Sequence, residues 1–390
     1  MPSADRVLLD ATAVPPDRGG VGRYVDALVP ALIRCGVDLE VACMPADEAL
    51  FDSLGARTLV ARRARGRGGR MLWEQTALPA LVRARRPGVL HSPHYTQPLV
   101  PPPRRGAHPA ATAVTLHDAT FFTDPRLHGR VKGPFFRTAT RLAVHRADVG
   151  IVPSRATADE LVRAAGARAD RLHVAHHGVD EALFRPPAPA DAEAARRAVG
   201  LAPAQPYVAF LGTLEPRKNL PALVRGFVAA CADRVDPPAL VLAGGSGWDD
   251  QLDAAIARAP ARLRILRPGY LPLAVLAGFL GGALLVAYPS LGEGFGLPVL
   301  EAMACGAPIL TTRRLALPEV GGDAVDYCDV DDASIARGLG RLLDDPGRRA
   351  QLGSAALRRA ATFTWDACAQ AHRDAYAEAV EHAHAGRRPR

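Results

Sequence analysis

The sequence predicts an α/β protein of two domains, each a parallel sheet covered by helices. Three observations carry this. At 390 residues the chain exceeds what one hydrophobic core usually organises. Short apolar runs alternate with helical stretches from end to end, which is the rhythm of parallel sheets. The segment Phe184-Arg-Pro-Pro-Ala-Pro-Ala190 interrupts that rhythm near the middle, because its prolines break regular structure and stiffen a linker.

In the first half, apolar runs predict strands at 6–11, 39–43, 89–92, 113–116, 149–153 and 172–175. Helices are expected at 22–35, 73–85, 133–146 and 156–165, the last with Ser154 as its N-cap. Residues 62–70 read as a basic, Gly-rich loop. In the second half, strands are expected at 207–211, 239–243, 264–266, 283–289, 308–311 and 325–328, with helices between them. Residues 271–289 carry no charge and are long enough to cross a bilayer, but Pro272, Gly278, Gly281 and Gly282 interrupt them. They divide into a helix (272–281) and a strand, both buried in a parallel core. The domains are set at 1–184 and 185–364, followed by a final helix and tail at 365–390.

Composition narrows the class. The six cysteines are scattered with no CxxC pair, which argues against a zinc site or disulfide framework and fits a reducing cytoplasm. Met1 leads almost directly into a strand-like run, so no signal peptide is expected. All but two of the 48 basic residues are arginine, as a GC-rich genome would encode, so the net charge of +8 is partly compositional. Aromatics at 5% and the absence of a recognised motif argue against nucleic-acid binding. The charge still suits a nucleotide donor or contact with an anionic membrane.

Four segments carry chemistry. The run Glu293-Gly-Phe-Gly-Leu-Pro-Val-Leu-Glu301 follows an apolar strand and enters a helix, with Pro298 suited to the first turn. Gly294 and Gly296 allow a ligand close to the backbone amides of a helix N-terminus, an anion-binding arrangement. Phe210-Leu-Gly-Thr-Leu-Glu-Pro-Arg-Lys-Asn-Leu220 puts Arg217 and Lys218 past the end of a strand, where a guanidinium fork and an ammonium suit a pyrophosphate. Arg18-Gly-Gly-Val-Gly-Arg-Tyr24, with Asp17 before it, is a Gly-rich turn between the first strand and first helix. Thr115-Leu-His-Asp-Ala119 ends a strand with His117 and Asp118. On residues alone, the same segments also read as tight turns with solvated charges and a core histidine satisfied by backbone.

Together these segments resemble the retaining glycosyltransferases of family 4, from about residue 6 to 380, and among them the bacterial mannosyltransferases. The resemblance implies the GT-B fold: two Rossmann-like domains with parallel sheets facing an interdomain cleft, and a last helix that crosses back to the first domain. It implies a nucleotide-sugar site of Gly20, Gly212, Thr213, Arg217, Lys218, Tyr270, Leu271, Glu293, Gly294, Phe295, Gly296, Leu297 and Glu301. His117, Arg217, Lys218 and Glu293 would be catalytic. Glu293 would hold the donor sugar, Glu301 the ribose, and Tyr270 and Leu271 would lie near the base. Many members carry arginine directly after the strand-ending glycine; here that position is Thr213, so Arg217 and Lys218 are expected to supply the charge. His177 stands where the family has asparagine in His176-His-Gly-Val-Asp-Glu-Ala-Leu-Phe184.

The resemblance further implies mannose transfer from GDP-mannose, or a UDP-sugar instead, to a glycan or lipid-linked acceptor. No cofactor or metal is expected. Asp329-Val-Asp331 superficially matches a metal motif, but its place before a helix makes Asp331 a cap. A cytoplasmic location, with peripheral contact at the inner membrane face, goes with a lipid-linked acceptor. The competing classes are a sugar-nucleotide epimerase or hydrolase on the same scaffold, and a non-catalytic nucleotide-binding protein.

Overall fold

The structure is a computed structural model that describes residues 6–15, 18–64, 66–99, 110–125 and 132–385. Asp17 of the first glycine turn, the residues before Arg6 and the tail after 385 lie outside the described residues. The chain forms two compact units, Met1–Gly178 with Thr364–Arg390, and Val179–Phe363.

The first unit is built on seven parallel strands: β1 (Arg6–Asp10), β2 (Asp38–Cys43), β3 (Arg57–Val60), β4 (Val89–Ser92), β5 (Ala111–Thr115), β6 (Val149–Val152) and β7 (Leu172–Val174). Their order is β3-β2-β1-β4-β5-β6-β7. The second unit has six parallel strands: β8 (Tyr207–Leu211), β9 (Ala239–Ala243), β10 (Ile265–Gly269), β11 (Leu285–Tyr288), β12 (Ile309–Thr312) and β13 (Asp326–Cys328), in the order β10-β9-β8-β11-β12-β13. Strand order reverses between β1 and β4 in one sheet and between β8 and β11 in the other. In open α/β sheets, the carboxyl edge at such a reversal opens the crevice where ligands bind. Strands β8, β9 and β11 are buried along their whole length, which explains runs with no polar face.

Residues 271–289 divide into the helix Leu273–Gly281 and β11. Among the described residues, no helix is long and apolar enough to cross a membrane. Ser154 and Asp331 are N-caps, accepting from the amides of Thr157 and Ser334.

Four expectations are corrected. Strand β3 was not foreseen: Arg57-Thr-Leu-Val60 is short, lies at the sheet edge and is buried on neither face. Part of the supposed loop 62–70 is helix, since Gly66–Arg85 is continuous. Arg70 there bonds the buried Glu74 at 2.8 Å one turn on, offsetting a part of what the glycines cost. The first helix begins at Gly19 rather than at residue 22, so Gly20 lies in a helical turn. The division between units falls after Gly178, not at the proline-rich segment. Phe184 is buried in the core of the second unit. At Gly178 a Cβ would lie 2.2 Å from the Trp365 nitrogen, so only glycine lets the chain pass there.

The last helix, Trp365–Ala385, packs on the helix Gly19–Arg34 and on β5 and β6, burying Cys368, Ala369, His372, Ala375, Tyr376 and Ala379. A chain of hydrogen bonds runs beneath it. Tyr376 Oη lies 2.9 Å from His91 Nδ1, His91 Nε2 2.8 Å from Thr115 Oγ1, and Thr115 Oγ1 3.0 Å from Tyr24 Oη. Tyr24 Oη lies 2.7 Å from His372 Nε2, and His372 Nδ1 2.8 Å from the Cys368 carbonyl. That carbonyl can only accept, so every proton in the chain has one assigned direction, starting with His372 Nδ1–H.

Candidate functional site

In the second unit, the ends of β8 and β11 lie side by side at the reversal of strand order. After β8 the chain makes a short 3-10 turn, Pro216–Lys218, and Asn219 then takes a left-handed conformation before the helix Leu220–Ala230. Asn219 Nδ2 donates to the Val330 carbonyl at 2.8 Å. The Leu291 amide donates to the Arg217 carbonyl at 2.8 Å, which ties the loop after β11 to the loop after β8.

These ties bring Arg217, Lys218 and Glu293 together. Lys218 Nζ donates to Glu293 Oε1 at 2.7 Å and to the Tyr288 hydroxyl at 2.6 Å. Arg217 donates to Glu293 Oε2, to the Gly292 carbonyl at 2.9 Å and to Glu215 Oε1 at 2.7 Å. The Ser290 hydroxyl lies 2.6 Å from Glu293 Oε1. Burial pushes the Glu293 carboxyl up, but the charges of Arg217 and Lys218, with hydrogen bonds from Lys218 and Ser290, outweigh it and hold it at about 2. Burial and the neighbouring Arg217 depress Lys218, while Glu293 and Glu215 oppose them. The group is therefore a buried set of two basic side chains and two carboxylates.

The same unit holds the remaining candidate residues of its sequence. Gly212 and Thr213 follow β8 directly. Gly244 packs so close that a Cβ there would lie 2.0 Å from the Gly212 carbonyl oxygen. Gly294 and Phe295 are buried, with Phe295 edge-on to Phe363 at 5.9 Å. Gly296, at a φ of 105°, is the N-cap of the helix Leu297–Ala304, whose second residue is Pro298. Glu301 is buried within that helix. Past β10, Tyr270 is 73% exposed while Leu271 is buried.

Gly20 and His117 belong to the first unit. Gly20 is exposed, and a Cβ there would meet nothing within 4 Å. His117 Nε2 lies 2.7 Å from the Pro93 carbonyl and must donate to it. Burial lowers its pKa, although the Pro93 bond and Asp118 oppose this. Asp118 accepts from the amide and hydroxyl of Thr120, which closes a local turn. His177 is buried and stacks on Trp365 at 5.8 Å, while His176 is half-buried.

Sequence reasoning did not single out Glu215, Tyr288 or Ser290. Ser290 and Tyr288 were visible only as the end of an apolar strand. Their role follows from β11 pairing with β8, a neighbour three strands back in the chain.

Residues 191–359 match the family described as Glycosyl transferases group 1, and residues 18–183 match Glycosyltransferase Family 4. The O-antigen chain mannosyltransferase B of Escherichia coli is 30% identical over 292 residues, 74% of each chain. The D-inositol 3-phosphate glycosyltransferase of Kribbella flavida is 30% identical over 405 residues, 94% of this chain and 92% of the relative. The chain spans between 52% and 92% of the length of its curated relatives. Among solved structures, the sucrose-phosphate synthase of Thermosynechococcus elongatus superposes with a TM-score of 0.77 over 95% of this chain and 99% of that one, at 21% identity, and so shares the fold. With two parallel α/β sheets, both family matches and relatives aligned along most of its length, the chain belongs to the family 4, group 1 glycosyltransferases of GT-B type.

Proposed function

We propose that this protein is a retaining hexosyltransferase that moves mannose from GDP-mannose to a glycan or lipid-linked acceptor, without a metal. The observation that carries the donor half is the convergence of Arg217 and Lys218 on Glu293 at the reversal between β8 and β11. Breaking the anomeric C–O bond sheds negative charge onto a departing diphosphate. A guanidinium, an ammonium and the amides around Gly296 and Leu297 supply oriented positive charge there, the role a divalent cation fills elsewhere. Glu293 holds both cations in register and offsets positive charge growing on the sugar. Glu301 takes the ribose, and Tyr270 and Leu271 the base. Mannose is favoured because a mannosyltransferase is among the relatives.

By the family resemblance, Gly20 of the first unit would face the donor diphosphate and the acceptor, and His117 the donor sugar. The acceptor oxygen attacks the face that the diphosphate leaves, and the departing phosphate oxygen takes the acceptor proton. A trapped covalent glycosyl-enzyme would refute that step. A lipid-linked acceptor would bring the arginines of the first unit to anionic lipid at the cytoplasmic membrane face. Salt-reversible co-sedimentation with anionic vesicles checks this.

A thermal-shift panel of GDP-, UDP- and ADP-sugars, with and without EDTA, tests the whole. GDP-mannose should raise the melting temperature most, and EDTA should not change the shift. Preferential stabilisation by a UDP-sugar would replace the donor. Isotope exchange at the sugar without any acceptor would indicate an epimerase or hydrolase.

A further inference from the structure

We infer that Glu215 is a positioning residue that competes with the diphosphate for Arg217 and Lys218, and thereby sets how tightly product nucleotide is held. This rests on the reading above that a diphosphate binds here.

Two carboxylates balance the two cations, so the set as it stands has no net charge with which to attract a diphosphate. One carboxylate must withdraw. Glu293 is the wrong one to move. Its side chain is 7% exposed, and Arg217, Lys218 and Ser290 all donate to it. Glu215 is held more loosely. Its side chain is 15% exposed, and its one hydrogen bond to the cations is the 2.7 Å contact from Arg217. It precedes the 3-10 turn Pro216–Lys218, on a loop rather than inside a strand or helix.

Lys218 shows where a phosphate oxygen would arrive. Two of its three N–H groups are committed to Tyr288 and Glu293. Glu215 Oε1 lies 3.9 Å away, too far for a hydrogen bond but near enough to help keep the ammonium charged. A phosphate oxygen that reached the third N–H and displaced Glu215 from Arg217 would exchange one anion for another at the same two cations. Glu215 would swing outward as the donor enters and return as the nucleotide leaves. The buried lysine would then never face an uncompensated site, and the product would always have a competitor.

Calorimetric titration of the full chain with GDP and with UDP tests this, using wild type, Glu215→Gln, Glu215→Asp and Lys218→Ala. Glu215→Gln should bind the preferred diphosphate about tenfold more tightly, as expected for removing one charge at this range. The gain should shrink in about 0.5 M salt. In turnover, KM and kcat should fall together as product release slows. Glu215→Asp, which cannot reach Arg217 as well, should lie between wild type and Glu215→Gln, and it stands alone if the glutamine variant does not fold. A purely structural Glu215 would leave Arg217 misplaced and binding weaker. Unchanged or weaker binding by these variants, with wild type binding normally, overturns the inference. Wild type and every variant failing to bind any nucleoside diphosphate would overturn the functional reading itself.

Discussion

Lys218 Nζ lies 2.7 Å from Glu293 Oε1 across 75 residues of sequence, and both side chains are only 7% exposed. The pairing of β8 with β11 makes this contact. Lys218→Ala removes one partner of a buried pair and leaves Glu293 with Arg217 and Ser290. Such a break costs about 3 kcal/mol, the low end of the usual range because two donors remain. Urea denaturation should show that loss. Calorimetry should show diphosphate binding falling more than nucleoside binding. Equal losses for the two ligands would remove Lys218 from the diphosphate site.

Below pH 4.5, Glu293 should contribute to the acid limb of stability. Its folded pKa of about 2 lies below the ordinary 4.5, so its contribution is complete above pH 4.5 and is lost as pH falls toward 2. The full contribution is about 3 kcal/mol at 1.36 kcal/mol per pKa unit. Urea midpoints measured from pH 6 to pH 3 should fall more steeply for wild type than for Glu293→Gln below pH 4.5. Parallel curves would mean that the carboxylate is not held by its cations.

Two glycines should respond in opposite ways. Gly20 lies in a helical turn with open space where a Cβ would go, so Gly20→Ala should raise stability by about 0.5–1 kcal/mol. If Gly20 also faces the ligand, transfer activity should fall while the melting temperature rises. Gly244 has a φ of 139°, and its Cβ would strike the Gly212 carbonyl at 2.0 Å. Gly244→Ala must therefore displace the backbone beside Arg217 and Lys218, lowering both stability and nucleotide affinity. A folded Gly244→Ala with normal affinity would show that the loop after β8 is not held by this contact.

The sheets were legible because their central strands are buried on both faces. Val208, Leu240 and Val286 stand in runs with no polar side to confuse the pattern. Edge strand β3 and the Gly66–Arg70 turn of helix were not legible, because each depends on neighbours that the local sequence does not show. At the site, Arg217, Lys218 and Glu293 stood out as charges just past apolar strands. Glu215, Ser290 and Tyr288 did not, because a glutamate on a loop and polar residues ending a strand are ordinary until strand order is known. His117 was legible as a candidate, but not the Pro93 carbonyl that accepts its hydrogen bond.

The hydrogen-bond chain beneath the last helix yields a prediction about order rather than number. Because the Cys368 carbonyl fixes His372 Nδ1–H, Tyr24 must donate to His372 Nε2 and accept from Thr115. Tyr24→Phe therefore leaves both a buried histidine nitrogen and a buried hydroxyl without their partner, a cost of about 2–4 kcal/mol. Tyr376→Phe sits at the donor end and strands only His91 Nδ1, so it should cost about half as much. The same chain sets a pH window. Burial lowers His372 from 6.5 to about 4, so the unfolded chain takes up the proton first and stability falls as pH drops from 6.5 toward 4. Urea titrations of the two variants at pH 7 and pH 5 measure both effects. Equal costs for the two phenylalanine variants would show that the chain has no fixed direction.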